Sequence, residues 1–169
     1  MQSEAELMVM DWERVGNRII GLQKDFLVIN TQSKVIIGQL QLSDDIGNEQ
    51  LYFDDDSLSY DMLIDSLKKS HNYFVALQDS TNNLYKKYSE ERKMFHLYHR
   101  KLKYNEIPKD KVGQFNITFK KMVNDLDNRA NTIKRELMQN IENYNYLITA
   151  IAESSASNYQ LTGYKLKIR

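Results

Sequence analysis

Apolar residues recur along this chain at alternating steps of three and four, over three long stretches. The first is Met8, Trp12, Val15, Ile19, Leu22, Phe26 and Ile29. The second is Tyr60, Leu63, Leu67, Phe74, Leu77, Leu84, Tyr88, Phe95, Tyr98 and Leu102. The third runs through Val112, Phe115, Phe119, Met122, Leu126 and Ala130, then Ile133, Leu137, Ile141, Tyr144, Ile148 and Ile151. Such spacing places one apolar stripe along one side of a helix, and a stripe of many turns is covered only by another long helix. The pattern predicts an all-α fold, an elongated bundle of three long helices. Its centre is an antiparallel helical hairpin over about 58–104 and 110–157.

The boundaries follow from local chemistry. Ser3 and Glu6 suit a capping box at the start of the first helix, where acidic residues also complement the helix dipole. Gly16 and Gly21 lie off the stripe and are expected to lower helix stability without opening the core. Residues 26–42 allow two readings. Ile36 and Leu40 keep the heptad phase through Ser33, which favours a helix over all of 1–42. Phe26–Ile29 and Val35–Ile37 around Asn30-Thr31-Gln32-Ser33 also suit a short β-hairpin. The helix is the preferred reading.

Residues 43–57 read as an acidic linker rich in turn formers, with Leu51-Tyr52-Phe53 as an apolar island folding back over the bundle. In the second helix, Ser70, Thr81 and Glu91 fall on the stripe, and Glu91 is the costliest, suited to a frayed or partner-facing point. Pro108 forces the one clear reversal, because proline pushes the preceding residue out of the helical region. The third stripe steps by four twice in succession, at Met122-Leu126-Ala130 and Ile133-Leu137-Ile141, which predicts stutters. In the basic tail, 158–169, Tyr164, Leu166 and Ile168 alternate with Lys165, Lys167 and Arg169. That is the period of a half-buried strand, which must add to a sheet edge of this chain or another.

Composition narrows the function classes. The chain has no cysteine, which removes disulfides, thiolate catalysis and cysteine-ligated zinc. No apolar run approaches the roughly 20 residues of a membrane span, and the N-terminus lacks the pattern of a secretory signal. The expectation is a soluble intracellular protein, cytoplasmic by default, with a virion component as an alternative. Net charge is zero but unevenly spread. Residues 1–57 carry eleven carboxylates against four cations, residues 84–111 nine cations against four carboxylates, and residues 159–169 three cations and no acid.

Two surfaces are candidates for binding. The tail residues Tyr164, Leu166 and Ile168 are read as a docking strand for a protein partner, together with whatever part of Met8–Ile29 is not satisfied within the bundle. The basic-aromatic stretch 85–104 offers Tyr85, Lys86, Lys87, Arg92, Lys93, Arg100, Lys101 and Lys103 to phosphates or single-stranded nucleic acid, with exposed rings available for stacking. Against the second reading, Tyr88, Phe95 and Tyr98 are stripe positions and belong in the core, while Glu90, Glu91 and Glu106 dilute the charge. A solvated basic face, or a dock for acidic segments of a neighbour, is the plainer account.

His96 and His99 lie one turn apart, yet no third metal ligand stands at a recognisable spacing. The acidic residues 44–56 lack the order of a calcium loop. No phosphate-cradling glycine loop, nucleophile elbow or desolvated carboxylate pair is present. The sequence therefore predicts a non-enzymatic structural or adaptor subunit that binds proteins, or further copies of itself, through helical faces and its C-terminal strand. Neither a cofactor, a metal nor a small-molecule substrate is expected. Single-stranded nucleic-acid or polyanion binding is the alternative.

Overall fold

The computed structural model describes residues 3–47, 56–154 and 166–168. Three helices account for nearly all of them: α1 (Glu4–Gly47), α2 (Asp56–Lys103) and α3 (Lys109–Ser154). The fold is all-α, as the stripes require, and 26–42 is helix throughout rather than a hairpin. The first helix extends past the expected end at 42 and the second begins inside the expected linker. Leu51-Tyr52-Phe53 and Tyr164 lie outside the described residues.

The helix ends are built as the local sequence demands. Ser3 Oγ accepts from the Glu6 backbone N–H at 3.3 Å, which is the N-cap bond of α1. At the other reversal, Asn105 takes a left-handed φ of 56°. Its N–H donates to the Leu102 carbonyl at 3.2 Å and the next N–H, of Glu106, reaches Lys101 at 2.9 Å. This pair of bonds is a Schellman motif with asparagine in the glycine place, so α2 is closed two residues before proline could act. Pro108 then supplies the carbonyl that opens α3, accepting from Lys111 at 3.0 Å.

The chain divides into two compact units, each containing a segment of all three helices. Unit 1 comprises Met1–Gln23 with Asp79–Lys134. Within it α1 and α2 are antiparallel, since Trp12 stacks on Phe95 at 5.4 Å while Gln23 meets Asn82 at 3.1 Å. Its core is aromatic: Phe95 meets Phe119 edge-on at 5.6 Å, and Tyr98 stacks on Phe119 at 5.1 Å. Arg18 binds Asp127 at 2.6 Å and Asn131 at 2.7 Å, fixing α1 alongside α3.

Unit 2 comprises Lys24–Gln78 with Arg135–Arg169. Its apolar core includes Phe26, Ile29, Ile36, Leu67, Phe74, Leu137 and Ile148. Polar groups cross this core and are paired. Ser70 Oγ donates to Asn140 Oδ1 at 3.0 Å, and Asn140 Nδ2 donates to the Ser70 carbonyl at 2.9 Å. Tyr144 Oη donates to the Ser33 carbonyl at 3.1 Å, and the Ser33 hydroxyl lies 2.9 Å from His71 Nδ1. Burial pushes the Tyr144 phenol up to about 12 despite its bond to Ser33.

Burial corrects the expected phase of two stripes. In α3 the buried positions are Asn116, Phe119, Val123, Leu126, Ala130, Ile133, Leu137, Asn140, Tyr144, Leu147 and Ile151, with Ile141 and Ile148 beside them. These steps alternate between three and four without a break, so the predicted stutters are absent. Asn116 is buried where Phe115 was expected, because Tyr98 Oη donates to its Oδ1 at 2.7 Å. In α2, Ile64 is buried and Leu63 only half-buried.

Gly16 is the third correction. It is buried, and a Cβ there would collide with the Tyr88 ring and hydroxyl. The notch lets Tyr88 Oη reach the Trp12 carbonyl at 2.7 Å. Gly16 is therefore a close-approach site between α1 and α2, not a neutral surface glycine.

Candidate interaction surfaces

The basic stretch 85–104 lies on the part of α2 belonging to unit 1. Lys86, Lys93 and Arg100 are exposed and stand seven residues apart, which places them in one row on the face away from the buried stripe. Lys101 and Lys103 are also exposed, near the helix end. The remaining candidates are Tyr85, Lys87 and Arg92. Lys87 pairs with Glu91 at 3.8 Å. Tyr85 and Arg92 line a groove of about 320 Å³ between α1 and α2, together with Glu13 and Tyr88. Tyr88, Phe95 and Tyr98 are buried, and Tyr85 packs against Tyr88 at 6.1 Å. Tyr104, 68% exposed, keeps an open ring face. The row therefore offers charge with little stacking.

A second groove, of about 610 Å³, runs between α2 and α3 of unit 1. Leu84 and Ile133 line it with Lys87 and Arg129. Glu91 stands one turn from Lys87, and its Oε2 is buried with no hydrogen-bond partner. Burial raises the Glu91 carboxyl above its usual range, with Lys87 and Arg129 opposing and Asp125 and Glu90 adding to the shift. The carboxylate competes with any anion for the two cations, so this groove does not add to the basic row. Glu91 itself sits inside the bundle at half-burial, not at a frayed end.

His96 and His99 both lie against the Phe95 ring. His96 packs over the Phe95 ring at 5.9 Å, and burial lowers its pKa, with Arg92 and His99 adding to the fall. Among the described residues, no three histidine, aspartate or glutamate side chains converge to hold a metal ion. Nor is any described helix long and apolar enough to cross a membrane.

In unit 2, α1 turns an apolar row outward. Leu27 is 63% exposed, Val28 39% and Val35 53%, with Thr31 between them. Between Asp25 and Asp44 the only charged residue is Lys34. Outward positions of a surface helix are ordinarily charged, so an uncharged stretch of this length stands out. Leu27 and Val28 lie within Met8–Ile29, whose unsatisfied part the sequence offers to partners, whereas Val35 lies beyond it and is recognisable only once the inward stripe is assigned.

The tail behaves differently from a strand. Among the described residues, 166–168 pair with no strand. Leu166 is only 3% exposed, covered by its own chain. Its N–H donates to Asn145 Oδ1 at 2.7 Å, and its carbonyl accepts from Asn145 Nδ2 at 3.2 Å. The Lys167 N–H donates to Gln32 Oε1 at 3.3 Å. A single carboxamide thus satisfies both backbone groups of Leu166, the task a neighbouring strand would otherwise perform. Ile168 is half-buried.

Comparison with models of known protein families, with curated proteins and with solved structures returned no match.

Proposed function

We propose that the chain is a non-enzymatic structural or adaptor subunit that binds partner proteins through a helical face. The observation that supports this reading is the outward row Leu27, Val28 and Val35 on α1, in a stretch with one charge. The inward stripe of the same helix is already consumed: Phe26, Ile29, Ser33, Ile36 and Leu40 are all buried. The outer row therefore has no role in closing the bundle. Covering it with a partner helix removes apolar area from water at about 25 cal/mol per Å² before the cost of association. The fitting partner presents an apolar helix face of similar length. Replacing Leu27 and Val35 by glutamate tests this. The double variant is expected to keep its helicity by circular dichroism and to lose the partner that the unaltered chain retains in cross-linking and co-purification. Retention of the same partner by the variant contradicts the reading.

The exposed row Lys86, Lys93 and Arg100 supports a second reading, binding of single-stranded nucleic acid or another polyanion along α2. Glutamine at Lys86, Lys93 and Arg100 is then expected to remove binding and flatten its salt dependence. Absence of retention on immobilised DNA or RNA at low salt eliminates it.

A further inference from the structure

The contacts of Leu166 describe a receptor as well as a tether. Asn145 on α3 reads the N–H and C=O of one tail residue, Gln32 on α1 reads the next N–H, and the leucine side chain is buried. Every element recognised is supplied by the segment 166–168, and none depends on the connection that leads to it. A segment of the same sequence from another molecule makes the same bonds.

The length of the connection allows that exchange. From Asn145 to the end of α3 at Ser154 is nine residues, about 13.5 Å of helix. Eleven residues, 155–165, join Ser154 to the described part of the tail. Extended, they span at most about 36–40 Å. The segment can therefore leave its own groove for a neighbouring one with α3 intact. Charge favours long-range encounter between copies, since the tail carries Lys165, Lys167 and Arg169 without an acid while residues 1–57 hold eleven carboxylates against four cations.

The structure assigns to the α1–α3 groove of unit 2 a docking site for a leucine-centred segment, and we propose that its partner in trans is residues 166–168 of a second copy of this chain. The proposal deepens the interaction reading above by naming one partner, but it rests on Asn145, Gln32 and Leu166 rather than on the outer row of α1. Failure of one therefore leaves the other testable. In the unaltered chain the tail in cis competes at an effective concentration on the order of millimolar, so dilute protein is monomeric.

Two complementary full-length variants expose the exchange. Leu166→Asp keeps the receptor but cannot bury its tail, and Asn145→Ala keeps the tail but lacks the receptor. Each alone is expected to be monomeric by light scattering. Mixed in equal amounts, they are expected to form a one-to-one heterodimer of twice the mass, with circular dichroism unchanged. Where Asn145→Ala lowers helicity, Asn145→Asp replaces it, because aspartate still accepts from the Leu166 N–H but cannot donate to its carbonyl. A mixture that stays monomeric at about 100 µM, well above a micromolar dissociation constant, overturns the exchange and leaves the tail as an intramolecular strap.

Discussion

At the scale of single residues, the sharpest demands fall where a side chain enters space left by another. Gly16 admits Tyr88, whose hydroxyl reaches the Trp12 carbonyl. Gly16→Ala is expected to cost about 1–3 kcal/mol, measured by urea unfolding, because its Cβ meets the phenol at once. Tyr88→Phe removes the nearest colliding atom, so the double variant should lose less than the sum of the two single losses. Glu91 makes the opposite demand. Its folded pKa is raised above the ordinary 4.5 chiefly by burial, so the protonated form is the one the fold prefers. That preference costs nothing below 4.5 and is felt in full once the pH exceeds the raised folded value. Glu91→Gln is therefore expected to stabilise the chain by about 1 kcal/mol at neutral pH. The gain should vanish in acid, and melting temperatures across that range check both limbs. Gly16 could not be told from Gly21 in the sequence, because off-stripe positions differ only in which neighbouring helix faces them. Glu91 was flagged there as costly, but its half-buried place among Lys87, Arg129 and Asp125 depends on residues far apart in the chain.

At the scale of elements, α1 was the most legible and α3 the least. Every apolar stripe residue named in α1 is buried, and Ser33 holds the phase between Ile29 and Ile36 as a buried polar member. The choice of helix over hairpin for 26–42 followed from that phase. In α3 the same rule misled, because periodicity scored on apolar residues cannot count a buried asparagine. Asn116 and Asn140 hold stripe positions only because Tyr98 and Ser70, on α2, accept or supply their hydrogen bonds. Phe115 was taken in place of Asn116 and Ile141 in place of Asn140, while Met122 was taken for the buried Val123 beside it. In the described part of the tail, 166–168, a related substitution occurs. Its alternation was real, but a side-chain amide replaced the expected strand partner. Gly38 offers an element-scale prediction. A Cβ there meets nothing, and the residue is interior to α1. Gly38→Ala should therefore raise stability by about 0.5–1 kcal/mol through helix propensity alone, read as a shift in the urea midpoint at constant slope.

At the scale of the whole molecule, function was the least legible part, since architecture in this chain is periodic and binding surfaces are not. The basic stretch attracted attention through composition, yet Tyr88, Phe95 and Tyr98 are core residues and Lys87 is paired with Glu91. The outer face of α1 was legible only as the unsatisfied part of Met8–Ile29, and not residue by residue, because three apolar residues among neutral polar ones have no period of their own. Both proposals presuppose that the heptad stripes of α1, α2 and α3 are satisfied within a single chain, leaving only outward faces and the tail for partners. Amide hydrogen exchange on the full chain, at a dilution where light scattering gives the monomer mass, tests this directly. Strong protection along Met8–Leu40, Leu67–Tyr98 and Phe119–Ile151 in the monomer is the expected result. Rapid exchange through those stretches, with protection appearing only as the protein associates, contradicts it and assigns the stripes to contacts between chains.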